Sequence, residues 1–127
     1  MKISVETHTR IELTDITDEV RKAVGESSGI LVIWVSHTTA GIYVNENESG
    51  LREDVLTLLE KLVPPQNYHH NRIDNNADSH LKAILVGNSV VIPVEKDDLV
   101  LGTWQRVFFC EFDGPRHRTV QCTFIPT

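Results

Sequence analysis

The strongest constraint on the fold is the run Ile30-Leu31-Val32-Ile33-Trp34-Val35, which ends abruptly in Ser36-His37-Thr38-Thr39-Ala40-Gly41. An apolar run of this length reads as a central, buried strand. The polar set that follows does more than pack. It delivers a histidine, hydroxyls and a small-residue break just where a strand would leave the core. Ile42-Tyr43-Val44 then reads as a short return strand, ending in Asn45-Glu46-Asn47-Glu48.

Around this centre the chain alternates element types. Ile3, Val5, Thr7, Thr9, Ile11 and Leu13 alternate with polar residues, as in one half-buried strand. His8 falls on its solvated side. Thr14-Asp15 supplies capping side chains for a first helix, with Ile16, Val20, Ala23 and Val24 at helical spacing. Ser49 is the expected N-cap of a second helix. Its stripe of Leu51, Val55, Leu58, Leu59 and Leu62 is expected to be core, and Pro64-Pro65 ends it. Residues 66–78 form a polar loop of a length that is often functional. Asn76 caps a third helix, Ala77 to Val86, stopped by Gly87, with His80, Leu81, Ile84 and Leu85 on its inner face.

Val90 to Val94 reads as a strand, with Pro93 at an edge or strand end. Leu99 to Phe112 and His117 to Ile125 read as long strands joined at Asp113-Gly114-Pro115. In such a hairpin Cys110 and Cys122 point to opposite faces, so both are expected as reduced thiols. The whole pattern predicts a single compact α+β domain over 1–127, with mixed or antiparallel sheets and about three helices.

Charge narrows the partners. The formal net charge is −6, which argues against a nucleic-acid partner, since phosphate neutralisation needs a basic footprint. No apolar run reaches the roughly 18–20 residues of a membrane span. The N-terminus lacks the apolar core of a signal peptide, and a cytoplasmic protein is expected.

Chemistry concentrates in a few places. His37, His80 and one of the adjacent pair His69 and His70 would come from a strand end, a helix face and a loop. Three imidazoles with one open position are the ligand set of a catalytic zinc site. Glu46 is the leading carboxylate for proton transfer, and Asn45 can position a ligand. Thr38 and Thr39 can hold phosphate oxygens or satisfy the strand end. Arg116 and Arg118 fall on one strand face and form the main cationic cluster, suited to forked recognition of a small phosphorylated molecule. Surface charge, or ion pairs with Glu111 or Asp113 across a subunit boundary, is the alternative. Gln105 is a polar residue among apolar neighbours, and Trp104 suits core or interface.

The segments His-Thr-Thr-Ala at 37–40, Asn-Glu-Asn at 45–47, Ser-His-Leu-Lys at 79–82, Leu-Val-Gly-Asn-Ser at 85–89 and Leu-Gly-Thr-Trp-Gln at 101–105, with Tyr68, His70 and Ile-Pro-Val at 92–94, together resemble the YjbQ-like family. The resemblance spans nearly the whole chain. It implies an α+β fold and a homotrimer with sheets around the threefold axis and sites near subunit boundaries. It selects His70 over His69 beside His37 and His80 as metal positions, and Asn45, Glu46 and Gln105 as polar site positions. It also implies a secondary thiamine-phosphate synthase activity. That reaction loses pyrophosphate, for which magnesium on oxygen ligands is the usual device, whereas three histidines suit zinc. A metal-dependent hydrolase and a non-catalytic trimeric binding protein are the competing expectations.

Overall fold

The run at 30–35 does become the middle of a sheet. The computed structural model describes residues 1–127, and β3 (Gly29–Val35) lies between β8 (His117–Pro126) and β5 (Ser89–Glu95). β1 (Lys2–Glu6) and β6 (Asp98–Leu99) complete a five-stranded sheet in the order β1-β8-β3-β5-β6. A second sheet has the order β2-β7-β4, from β2 (Glu12–Asp15), β7 (Gln105–Glu111) and β4 (Ala40–Glu46). Every pairing is antiparallel. Four helices follow in chain order: α1 (Thr17–Arg21), α2 (Ser49–Leu62), α3 (Asn71–Asp74) and α4 (Ala77–Val86). This is the expected α+β domain, with one short helix inside what reads in sequence as a loop. None of its helices is long and apolar enough to cross a membrane.

The doubly buried strand is β7, not β3. Val107 and Phe109 face the core between the sheets, beside Leu31, Ile33, Ile42 and Val120. Phe108 and Cys110, on the other face, join Leu13, Leu59 and Ala83 in a second core under α2 and α4. The order of layers is therefore first sheet, second sheet, then α2 and α4, while Val20 of α1 packs into the core between the sheets. Only one face of the first sheet is covered. Leu31, Ile33 and Val35 are buried, whereas Ile30 and Val32 are half-buried and Trp34 is 43% exposed on the other side.

Two strand expectations change. The alternation from Ile3 to Leu13 is broken into β1 and β2, which belong to different sheets. The chain turns between them because Glu12 Oε1 accepts hydrogen bonds from the amides of His8 and Thr9, at 2.8 and 3.2 Å. Likewise β7 and β8 do not form a hairpin: the segment 112–116 carries the chain from the second sheet to the first. Cys110 and Cys122 are buried free thiols, so the expected state holds although the hairpin argument behind it does not. Burial pushes the Cys122 thiol up, against the opposing charge of the N-terminal ammonium, and removes Cys110 from titration in the ordinary range.

The helices also turn differently. On α2 the cap is the Glu48 carboxylate, accepting from Gly50 N at 2.6 Å and Leu51 N at 2.9 Å, rather than Ser49. Of its expected stripe only Leu59 is buried, with Leu58 and Leu62 exposed. On α4 the boundaries are as read, but the inner face is Asp78, Ser79, Lys82 and Ala83, while Leu81, Ile84 and Leu85 point outward. The polar face wins because each group finds a partner. Asp78 takes Arg10 at 3.0 and 3.2 Å, Ser79 Oγ donates to Phe112 O at 2.5 Å, and Lys82 Nζ meets Glu60 at 3.0 Å. Satisfied polar burial is tolerated where unsatisfied burial is not.

Candidate functional site

Residues 36–39 carry the chain from β3 in the first sheet to β4 in the second, so His37 stands at the seam between sheets. Its Nε2 lies 3.0 Å from Thr119 O and 3.1 Å from Thr119 N on β8. One contact has the ring donating, the other has it accepting, and a neutral imidazole satisfies one at a time. Burial and the nearby Arg118 guanidinium lower the His37 pKa from 6.5. The ring is therefore neutral at physiological pH, the form that can accept a proton or ligate a metal.

α4 brings His80 to the same place. Gly41 allows the close approach: a Cβ there would stand 2.8 Å from Gly87 O and 3.1 Å from Val86 Cγ1. Ile42 N donates to Gly87 O at 3.0 Å, tying the end of α4 to β4. The start of α4 is held by Asn76 Nδ2, which donates to Asp113 Oδ2 at 2.9 Å, and by Ala77 N, which donates to Asn71 Oδ1 at 3.0 Å. His70, at the head of α3, packs edge-on to His80 with ring centroids 4.6 Å apart. Its Nε2 is buried without a hydrogen-bond partner in the chain.

A cleft of about 350 Å3 is lined by Ser36, His37, Thr38, Thr39, Asp74, Asn76, His80, Arg116 and Arg118, with no apolar residue among them. A neighbouring hollow of about 270 Å3 again includes His37 and His80, now with Ala83 and Ile84. Together they offer a polar floor beside an apolar shelf, with imidazoles between.

The arginines differ in how they are held. Arg118 is buried, with Nε 2.8 Å from Glu111 Oε1, Nη2 against Glu111 Oε2, and Nη2 2.9 Å from Thr39 Oγ1. Both Thr39 and Arg118 are thus committed to one another and to Glu111. Arg116 is exposed and bound to Asp113, through Nε to the carbonyl at 2.8 Å and Nη2 to the carboxylate at 3.0 Å. The ion pairs raised in sequence as bridges between subunits form within one chain. Burial would raise the Glu111 pKa, but hydrogen bonds from Arg118, Asp113 N and Thr7 outweigh it and hold the carboxyl below 4.5. The same balance, with Asn76 and Arg116 as donors, lowers Asp113.

The remaining candidates lie elsewhere. Asn45 and Glu46 end β4, where Glu46 is in register with Gln105. Six residues of strand separate them from the histidine end, roughly 20 Å. Asn45 Oδ1 accepts from Glu46 N at 2.8 Å, and Gln105 Oε1 from Gly102 N at 2.8 Å. In one chain Glu46 and the histidines are at opposite ends of the second sheet. Nor does any group of three or more His, Cys, Asp or Glu side chains stand in metal-holding geometry.

Sequence reasoning missed Asp74 and Ser36, and assigned Asn76 only a capping role that its side chain does not perform. Asp74 was hidden because α3 falls in an apparent loop. Glu111 was traceable, as a lone carboxylate inside the apolar run from Val107 to Phe112.

Two stacked antiparallel sheets, α2 and α4 over the second of them, and a polar cleft holding His37 and His80 at the crossover define a small α+β domain with a surface pocket. The chain belongs to the YjbQ-like family, since all of residues 1–127 match the family described as UPF0047 protein YjbQ-like. A UPF0047 protein of Archaeoglobus fulgidus is 52% identical over 94% of this chain and 96% of that protein. UPF0047 protein YugU of Bacillus subtilis is 40% identical over 92% of each. Among solved structures, a YbjQ-like protein of unknown function from Sulfolobus solfataricus superposes with a TM-score of 0.94 at 42% identity, covering 100% of this chain and 96% of that one. An uncharacterised family member from Clostridium acetobutylicum gives 0.93 at 42% identity, covering 98% and 99%.

Proposed function

We propose that the protein is a metal-dependent enzyme acting on a small phosphorylated molecule, with thiamine-phosphate synthesis as a secondary activity. The observation that carries this reading is the meeting of His37, His80 and Arg116 around one polar cleft. His37, His70 and His80 are the proposed metal ligands, and zinc suits their nitrogen donors. A neutral His37 and a buried, unpartnered His70 Nε2 support the donor set. The three rings require local closure to converge, because they are not in coordinating geometry. A bound divalent ion would supply positive charge to a phosphate or pyrophosphate leaving group; magnesium would do so through oxygen ligands.

The chain's own residues divide the work. Arg116 neutralises the ligand's phosphate. Arg118, through Glu111 and Thr39, holds the strand end from which His37 projects. Glu46 and Gln105 serve the same cleft only if a second copy supplies them, which agrees with a homotrimer. The uncovered face of the first sheet, with Trp34 43% and Val91 60% exposed, supports such an assembly.

The test is metal content of the purified protein, with zinc affinity of the parent compared to His37→Ala, His70→Ala and His80→Ala. Loss of stoichiometric metal in these variants is expected. Parent protein that holds no metal, or variants that bind as the parent does, would remove the metal from the proposal. For the activity, the parent is expected to restore thiamine growth to a synthase-deficient host, and Glu46→Gln to abolish it.

The separation of Glu46 from the cleft favours one second reading, a binding protein without turnover. Failure of the complementation alongside retained phosphate-ester binding would select it.

A further inference from the structure

A larger cavity lies away from the histidines. About 440 Å3 in volume, it opens between α2 and α4 over Ile11, Leu56, Leu59 and Phe112, within the range of small-ligand sites. Its wall contains Lys82, whose side chain is 2% exposed. His80 and Lys82 are two residues apart on a helix, about 200° around its axis, so they serve opposite sides of α4.

Lys82 is unusual in what it lacks. An ammonium has three donors, but Nζ makes one hydrogen bond, to Glu60 Oε2 at 3.0 Å. Asp78 Oδ2 is farther, at 3.9 Å, and that carboxylate is already taken by Arg10. Glu60 itself is half exposed at the cavity wall, free to swing into water. The cavity therefore presents a sealed cation with spare donors, an apolar floor and a displaceable counter-ion. Lys61 at its rim adds a second positive charge.

We propose that this cavity binds a small monocarboxylate carrying a short apolar tail. The carboxylate replaces Glu60 on Lys82 Nζ, and the tail lies on Leu56, Leu59 and Phe112. The inference is independent of the histidine cleft, and its failure leaves the reading of that cleft untouched.

Hexanoate is the probe, titrated into the full chain and followed by calorimetry and by the amide resonances of Leu56, Leu59 and Phe112. Saturable binding is expected, with hexanol at least about tenfold weaker because the charge-assisted bond is lost. Lys82→Met should weaken hexanoate to a similar degree, and Glu60→Ala should tighten it. Leu56→Trp, which fills the cavity and spares Lys82, should abolish binding and keeps the test valid if Lys82→Met does not fold. Absence of saturable binding by the parent, equal affinity for hexanol, or unchanged binding by Leu56→Trp would each overturn the proposal.

Discussion

Arg118 and Glu111 face each other across the seam between the sheets, 5% and 0% exposed, with the guanidinium forked onto the carboxylate. Thr7 Oγ1 donates to the same carboxylate at 2.9 Å and Asp113 N at 3.0 Å. Four donor groups thus converge on one buried anion, and β1, β4, β7 and β8 meet around it.

Breaking this pair on one side leaves a buried charge uncompensated. Arg118→Met is expected to cost about 3–5 kcal/mol of unfolding free energy. Arg118→Met combined with Glu111→Leu should recover a large part of that loss. Urea unfolding of the single and double variants measures both. Near-additive losses would mean that the two groups do not act as a pair.

Acid should act in two steps. Burial and Arg118 depress the His37 pKa below 6.5, so the unfolded chain binds that proton first, and stability declines slightly as pH falls below 6.5. Glu111 is held below 4.5, while Asp15 and Asp113 are held below 3.8 despite the upward push of burial, in Asp15 by Arg106, Thr17 and Asn47. Depressed carboxyls stabilise fully above their unfolded values, and that stability disappears as pH falls through the folded ones. A steeper decline is therefore expected below pH 4.5. Unfolding free energy measured from pH 7 to pH 3 tests the profile, and His37→Asn should flatten only its upper part.

Gly41→Ala should disturb the cleft from behind. The added methyl meets the Gly87 carbonyl and Val86, and overpacking of this kind typically costs about 1–3 kcal/mol. α4 must retreat from β4 to relieve it, carrying His80 away from His37. Lower thermal stability together with weaker metal or phosphate-ester binding is the expected pair of results. A stable variant with unaltered binding would show that the close approach does not set the cleft.

Val91 is 60% exposed on the outer face of the first sheet, in register with Val32. If copies of the chain associate through this face, Val91→Glu buries a charge at the interface and should yield monomers in sedimentation. Monomeric parent protein would remove the proposed trimer. Within one chain the substitution touches no core contact, so its folded monomer should lose little stability.

Much of the fold was legible in local patterns. The bounds of α4 follow from its apolar spacing and from Gly87, whose φ of +98° suits glycine. The alternation of Ile3 and Val5, and the strand character of 30–35, survive in the structure. What failed was orientation. Leu81, Ile84 and Leu85 look like an inner face until Arg10, Phe112 O and Glu60 are seen to satisfy Asp78, Ser79 and Lys82. Those partners come from elements distant in the chain, and no local period encodes them.

The histidine cleft divides in the same way. His37 follows from composition: a polar set cannot stay in the core after a buried strand. Its meeting with His80 depends on the contact between α4 and β4 at Gly41, and the roles of Asp74 and Asn76 depend on α3. Periodicity reports which residues avoid water, because that preference belongs to each side chain alone. Which of two faces turns inward, and which distant ends meet, depends on partners that the folded chain brings together.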